Sequence, residues 1–441
     1  MSLRLVTPQD SEYETARLSW NLAADQHPDA VCLAGSVEEV QQAIRHAKDH
    51  GMRVASQTTG HGAGGLPSLE NTLLLKTRLH DGEVSFDEAD GTIGFRAGAV
   101  WDEIVSEVAA RGRTVMHGSS PSVSPCGYLL GGGLSFYGRA HGFATNHVTR
   151  FELVTGDGEF RVASADENPE LFWGLRGGGG LFGTVTGIEI GTLPFGEVFA
   201  GATFWPADNA PAVLGAWRDW TRQAPESVTS TFRILRLPPI EEVPEPIRGI
   251  PVACVDGVAL DNEAGEEFAA LLDGLGPPLM GGWGIQPSPA VARLHGDPED
   301  PLPGMGDGFV LGDLPDDVAD AFLSAAGPDS GTDLVVAELR HLGGALARPA
   351  DGGGVLNRIE GEYLLYGVGI ADPSSAAKND ADLDNLLDPA RPAKAPGALS
   401  GFAERDCSLD HCFSRADLES LRKLSETYDP DGLFVVPQPL D

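Results

Sequence analysis

The sequence predicts an α+β protein of two domains or three, on three observations. Its 441 residues exceed what a single hydrophobic core commonly organises. Short strand and helix patterns alternate through the first 195 residues or so. Past "IEIGTLPF" (188–195) the texture changes to longer strand candidates interleaved with amphipathic helices.

Taken in order, "AVCLAGSVEEVQQAIRHAKDHGMRVAS" (30–56) reads as strand, helix, strand. Ser36 and Glu39 have capping-box spacing. Val37, Val40, Ile44 and Ala47 form one apolar stripe, and Gly51 is placed to end the helix. "NTLLLK", "EVSFD" and "TIGFRAG" are strand-like. "WDEIVSEVAAR" (101–111) is a helix burying Trp101, Ile104, Val105 and Val108, ended by Gly112. "FELVTGDGEFRVAS" (151–164) is a hairpin with "TGDG" as its turn. Beyond residue 196, "GATFWP", "STFRILRLPP", "GIPVACVDGVAL", "DLVVAELRHLGG" and "EYLLYGVGI" are strand candidates. "APAVLGAWRDWTRQ", "EAGEEFAALLDGL" and "PDDVADAFLSAA" are helices. The pattern predicts a largely antiparallel sheet with helices on one face. "HGDPEDPLPGMGDG" (295–308) and "DGGGVLNRIEG" (351–361) read as exposed loops, and "SRADLESLRKLSETY" as a final helix. No internal repeat is visible.

Composition removes several function classes. Sixty-five acidic against 30 basic residues give a formal charge of −35, which repels nucleic-acid backbones and anionic membranes. No stretch approaches the ~18 apolar residues a membrane span requires. The five cysteines (Cys32, Cys126, Cys254, Cys407, Cys412) are scattered and form no CxxC pair, which argues against a zinc site or a disulfide framework. The first 18 residues lack the apolar centre of a signal peptide, so the expected location is cytoplasmic.

Chemistry is expected in three glycine-rich loops: "TTGHGAGG" (58–65), "HGSSPSVSPCGYLLGGG" (117–133) and "RGGGGLFG" (176–183). Bare backbone N–H groups approach anions closely, and three such loops suit a long ligand bearing a diphosphate. "GGGLFG" satisfies the G-x-G-x-x-G pattern, but a helical "ENPELFWGL" precedes it and a β pattern, "TVTGIEI", follows. A nicotinamide dinucleotide fingerprint needs the reverse order.

Four segments then carry a resemblance: "SQTTGH" (56–61), "GSSPSVSPCGYLLGGGLSFYGRAHGFATNHV" (118–148), "LFWGLRGGGGLFGTVT" (171–186) and "YDPDGLFVVPQ" (428–438). In this order they resemble the FAD-linked oxidases of the vanillyl-alcohol-oxidase superfamily, in its berberine-bridge-enzyme-like and 6-hydroxynicotine-oxidase-like group. The resemblance implies a two-part FAD-binding domain of PCMH type in residues 1–196, a substrate domain in 197–399, and a tail, 400–441, returning to the FAD domain. It implies cofactor contacts from Gln57, Thr58, Thr59, Gly60, His61 and Gly62 in the first loop. In the second they come from Gly118, Ser119, Ser120, Val123, Cys126, Gly127, Gly131, Gly132, Gly133, Tyr137, Gly138 and Asn146. Gly183, Val185, Pro437 and Gln438 complete the set.

In that group the histidine of the first loop bonds covalently to the flavin 8α carbon, a role that falls here on His61. Some members add a second tether through a cysteine whose position holds Ser120, with Cys126 six residues later, so one covalent link is expected. Cys126 reads as a buried packing residue. Gln57 and Thr59 stand where the group usually has Arg and Gly, and Asn146-His147 where Asp-Asn is common. Leu418 occupies the place of a frequent tyrosine, which excludes a catalytic tyrosine there. The catalytic candidates are Glu338 and Arg340, on one face of "VVAELRHLGG", with Glu338 the better proton acceptor, and Tyr363 of "EYLLYGVGI". Tyr366 points to the opposite face from Tyr363, and His117, His141 and His341 are weaker candidates.

The expected reaction is oxidation of an alcohol or amine carbon of a small molecule, with hydride passing to flavin N5 and molecular oxygen as acceptor. A dehydrogenase with another acceptor, a flavin-containing cyclase of secondary metabolism, and a binding protein with a degraded flavin site stay open, as does monomer or homodimer.

Overall fold

The computed structural model describes residues 3–79, 84–372, 374–405 and 408–440; Cys407 lies outside them. Three parallel strands begin the fold: β1 (Ala30–Ala34), β2 (Arg53–Gln57) and β3 (Thr72–Thr77), with β3 between the other two. The helix Val37–Asp49 joins β1 to β2. Ser36 Oγ accepts from Glu39 N, while the Glu39 carboxylate turns back to Gly35 N at 2.8 Å. Val40, Ala43, Ile44 and Ala47 are buried against the strands, and Gly51, at φ +66°, ends the helix in the left-handed region.

An antiparallel five-stranded sheet follows, in the order β4-β5-β8-β6-β7. It comprises β4 (Ser85–Asp87), β5 (Thr92–Arg96), β6 (Val148–Thr155), β7 (Phe160–Ser164) and β8 (Gly183–Gly191). The hairpin β6–β7 and the helix Trp101–Ala109, with its buried Trp101, Ile104, Val105 and Val108, form as the sequence predicts.

At Glu197 the chain enters a seven-stranded antiparallel sheet, ordered β12-β9-β11-β10-β14-β15-β13. Its strands are β9 (Glu197–Pro206), β10 (Val228–Arg236), β11 (Pro251–Ala259), β12 (Met280–Pro287), β13 (Gly304–Leu311), β14 (Val336–His341) and β15 (Tyr363–Ile370). Helices Ala210–Thr221, Asn262–Asp273, Asp316–Ala326 and Ala376–Leu387 pack on one face, over Phe232, Ile234, Val255, Leu339 and Leu365. Period-two alternation sends Thr231, Arg233, Asp256, Glu338, Arg340 and Tyr366 to the other face. Finally, β16 (Phe434–Val435) returns to pair with β2 in the first sheet.

The structure corrects the sequence reading at three places. Residues 304–308 belong to β13, where Gly306 and Gly308 leave room for Tyr366 of the neighbouring strand. β12 was not expected, because glycines 281, 282 and 284 give it no alternating pattern. The segment 351–361 is anchored rather than exposed along its length. Val355, Leu356 and Ile359 are buried, and the Val355 and Leu356 amides donate to the Trp173 and Arg176 carbonyls.

Candidate functional site

His61 is positioned by the turn leaving β2. Gly60 lies at φ +85°, and a Cβ there would stand 2.6 Å from Gln57 Nε2 and 2.7 Å from Ser19 Cβ, so only glycine fits. Thr58 Oγ1 lies 2.9 Å from Thr77 Oγ1, fixing the turn to β3. The His61 ring stacks on Trp20, centroids 4.1 Å apart and planes 15° off parallel. Its Nδ1 lies 2.9 Å from Thr59 Oγ1 and its Nε2 3.3 Å from Ser122 Oγ, which is itself 3.2 Å from Ser120 Oγ. Burial lowers its pKa to about 4, so at neutral pH the ring is uncharged and keeps a lone pair on one nitrogen.

The first and second glycine-rich loops therefore meet at this imidazole. Within the second, the Val123 carbonyl accepts from Trp101 N, and Ser119 Oγ donates to Asp297 at 2.6 Å. Gly118 gives way to the Tyr128 ring, and Tyr137 is fully buried. Cys126 is buried at the start of the helix Pro125–Leu130, and burial pushes its thiol up to about 12, as befits a packing residue. Gly132 (φ +103°) and Gly133 (φ +76°) let the chain pass Leu356, Tyr128 and Ala144, and Gly138 packs on Leu346. Gly131 ends the short helix.

In the third region, Gly183 lies in β8 where a Cβ would stand 2.5 Å from the Val154 carbonyl; it serves strand pairing, as does buried Val185. Pro437 and Gln438 line a small cleft with residues 177–181, and Pro437 also packs on Gly65. The tail thus touches both the first and the third loop.

These loops suit a large polar cofactor. Both side-chain amide atoms of Gln57, the Asn146 Nδ2 and the His117 Nε2 are buried without a partner, an arrangement that costs free energy unless a ligand satisfies it. A Cβ on Gly62, Gly127 or Gly179 would meet open space, leaving bare backbone accessible there. Asn146 Oδ1 accepts from Gly354 N, which orients its free amide nitrogen.

The polar face of the seven-stranded sheet carries a buried ionic network. Arg233 pairs with Asp256, which also accepts from Thr231. His295 bridges Asp256 and Glu338, its Nδ1 3.0 Å from one carboxylate and its Nε2 3.0 Å from the other. Glu338 accepts in addition from Arg340 Nε at 2.6 Å. Burial and Arg233 both disfavour charge on His295, but Asp256, Glu338 and Asp297 prevail and raise it to about 9. Burial likewise disfavours the Glu338 carboxylate, yet Arg340 and His295 hold it well below the usual range. The Arg340 guanidinium lies over Phe136 and Phe402, 5.9 Å and 5.6 Å from their centroids.

This placement changes the catalytic assignments. Glu338 and Arg340 share the polar face of the sheet, but both carboxylate oxygens of Glu338 are occupied by cations, which makes it a poor proton acceptor. Tyr363 is on the helix-covered face, 2% exposed, with its hydroxyl 2.7 Å from Thr221 Oγ1 and its ring against Trp217. It is a core residue. Tyr366 is the strand's tyrosine on the polar face; it pairs with Glu338 in register and donates to Glu404 at 2.5 Å. Of the weaker candidates, His117 donates from Nδ1 to the Gly118 carbonyl, His141 stacks on Phe195, and His341 lies 2.9 Å from Arg139. Arg139 also reaches the Val228, Ala224 and Leu342 carbonyls, clamping the second-loop region to the large sheet.

Sequence reasoning missed His295, Asp256 and Arg233. A charged residue inside each of two otherwise apolar strands, "TFRIL" and "VACVDGVA", was a readable signal for the last two. His295 comes from a loop and carried none.

Comparison with known proteins agrees with this geometry. Residues 28–164 match the FAD binding domain family. Over 186 residues the chain is 30% identical to (R)-6-hydroxynicotine oxidase of Paenarthrobacter nicotinovorans, a match covering 42% of this chain and 40% of that protein. Matches to two FAD-linked oxidoreductases of Arthroderma benhamiae cover 43% and 34% of those proteins, so the chain spans about half or less of the length of the curated relatives it matches. The structure of Physcomitrella patens BBE-like 1 superimposes with a TM-score of 0.84 at 20% identity, covering 100% of this chain and 97% of the other. Glucooligosaccharide oxidase from Acremonium strictum, whose flavin is a 6-S-cysteinyl, 8α-N1-histidyl FAD, superimposes with a TM-score of 0.81 at 18% identity, covering 100% and 97%. No helix among the described residues is long and apolar enough to cross a membrane. The chain thus carries an FAD binding domain in residues 28–164 and, along its whole length, the fold of 6-hydroxynicotine oxidase and berberine-bridge-enzyme-like proteins.

Proposed function

We propose that this protein is an FAD-dependent oxidase acting on the alcohol or amine carbon of a small molecule, with its flavin attached once, through His61. The observation that carries the reading is the neutral His61 imidazole at the meeting point of the first two glycine-rich loops, beside serines rather than a cysteine. FAD, when bound, supplies the two-electron acceptor for a hydride at N5 and passes the electrons to molecular oxygen. Gln57 and Asn146, with their unpaired amides, and the open backbone at Gly62, Gly127 and Gly179 are the groups that would hold it.

The chain's own residues define the substrate side. Arg340, fixed by Glu338 and packed on Phe136 and Phe402, presents a charged, oriented group beside the second loop. Tyr366 and Glu404 supply the proton acceptor that Glu338 cannot. Glu404 sends its carboxylate inward to the Tyr366 hydroxyl, and burial raises its pKa. A proton taken by Tyr366 from a substrate O–H or N–H would be matched by one given to Glu404. Covalent attachment in the solved relative named above supports the His61 assignment by analogy of fold, and Ser120 supports a single link.

The test is a panel of small alcohols and amines added to the purified yellow protein. Loss of the flavin absorbance without air, and stoichiometric hydrogen peroxide in air, are expected for at least one class. Turnover of a compound with neither bleaching nor peroxide would contradict the oxidase reading.

A further inference from the structure

Trp20 lies outside every glycine-rich loop, yet it is the aromatic group on His61. It is held at several points. Its amide donates to the Thr59 carbonyl at 2.9 Å and its Nε1 to the Glu299 carbonyl at 3.0 Å. The segment leading to it is tied down by buried Lys76, whose ammonium group donates to the Ala16 and Leu18 carbonyls. Asn21, the next residue, donates from its amide to the Gly60 carbonyl and from its side chain to the Gly304 carbonyl. A tryptophan anchored to the attachment turn on one side and to residues 299–304 on the other has little freedom to leave the imidazole.

We propose that Trp20 is a positioning residue for flavin attachment, holding the His61 ring plane and stabilising the positive charge that the ring acquires as the bond forms. This rests on His61 being the point of attachment. The charge arises from the chemistry. One ring nitrogen uses its lone pair to bond to the 8α carbon while the other still carries its hydrogen, so the ring is briefly an imidazolium. Overall the C–N bond replaces one C–H bond and the imidazole N–H bond. Two protons leave, and the two electrons left on the ring system pass to dioxygen, which becomes hydrogen peroxide. Near His61 the hydrogen-bonding partners are the hydroxyls of Thr59 and Ser122, either of which can accept the departing proton; none is a carboxylate. The stacked indole face is then the group whose charge distribution favours a cation.

The experiment compares full-length wild type, Trp20→Phe and Trp20→Leu, each produced under riboflavin limitation and then given FAD in air. Total bound flavin is read from absorbance, and covalent flavin from intact mass over time. Wild type and Trp20→Phe, which keep an aromatic face, are expected to attach at similar rates. Trp20→Leu, which fills the space without one, is expected to bind FAD but attach it roughly tenfold more slowly. Equal rates for Phe and Leu would overturn the proposal and leave the His61 assignment standing. Absence of covalent flavin from wild type would defeat both.

Discussion

His61 and His295 are both largely enclosed, yet their surroundings drive them in opposite directions. Around His61 there are hydroxyls, an indole and backbone, and burial alone lowers its pKa to about 4. Around His295 two carboxylates lie at 3.0 Å, and they outweigh burial and Arg233 to raise it to about 9. Enclosure by itself does not set a histidine's charge; the sign of its neighbours does. The same residue type is thus neutral at one place and a cationic strut at the other.

The comparison breaks most plainly at His61 itself. His61→Ala is expected to abolish covalent flavin completely while leaving the fold intact, read as the mass of the denatured polypeptide. On the other side, Asp256→Ala leaves Arg233 and His295 buried without their shared carboxylate. Breaking such a pair costs about 3–5 kcal/mol, measurable as a drop in the urea midpoint.

The pH dependences have opposite signs. His295 gains affinity for its proton on folding, from 6.5 to about 9, so its stabilising contribution is complete below about pH 6.5 and is lost as pH rises through 9. Glu338, held low by Arg340 and His295 against burial, contributes at and above neutral pH and loses that contribution on acidification. His61 disfavours its proton when folded, so it costs stability as pH falls from 6.5 towards 4, and its attachment rate should hold down to about pH 5. Urea midpoints between pH 6 and 10 should fall for wild type from about pH 6.5 to 9 and stay flatter for His295→Gln.

Smaller changes sharpen the placement of residues. Tyr363→Phe removes one hydroxyl contact to Thr221 and is expected to cost about 1 kcal/mol of stability with turnover retained. Tyr366→Phe should instead slow turnover at nearly unchanged stability. Ser120→Ala should leave the covalent flavin content as it is, since a serine makes no second tether.

How much of this was legible follows from how each feature is encoded. The glycine-rich loops, the hairpin 151–164 and the final helix are contiguous signals, and the structure contains them where the pattern put them. So was the strand bearing Glu338 and Arg340. The choice between Tyr363 and Tyr366 was not legible, because alternation shows that they face opposite ways but not which face the helices cover. β12 and β13 were hidden by glycines, which carry no side-chain pattern; in β13, Gly306 and Gly308 leave room for Tyr366, and in β12 Gly281, at φ +99°, passes close to the Ala202 carbonyl. The His295 network joins two strands and a loop from distant parts of the chain; only folding brings them together.

The central claim is a bond from the His61 ring to FAD, and mapping the flavin-bearing peptide tests it most directly. Trypsin cuts after Arg53 and Lys76, so the flavin should be found on the peptide 54–76, with fragmentation placing the added mass on His61. Flavin on the peptide containing Ser120 and Cys126, or released entirely as free FAD on denaturation, would contradict the account.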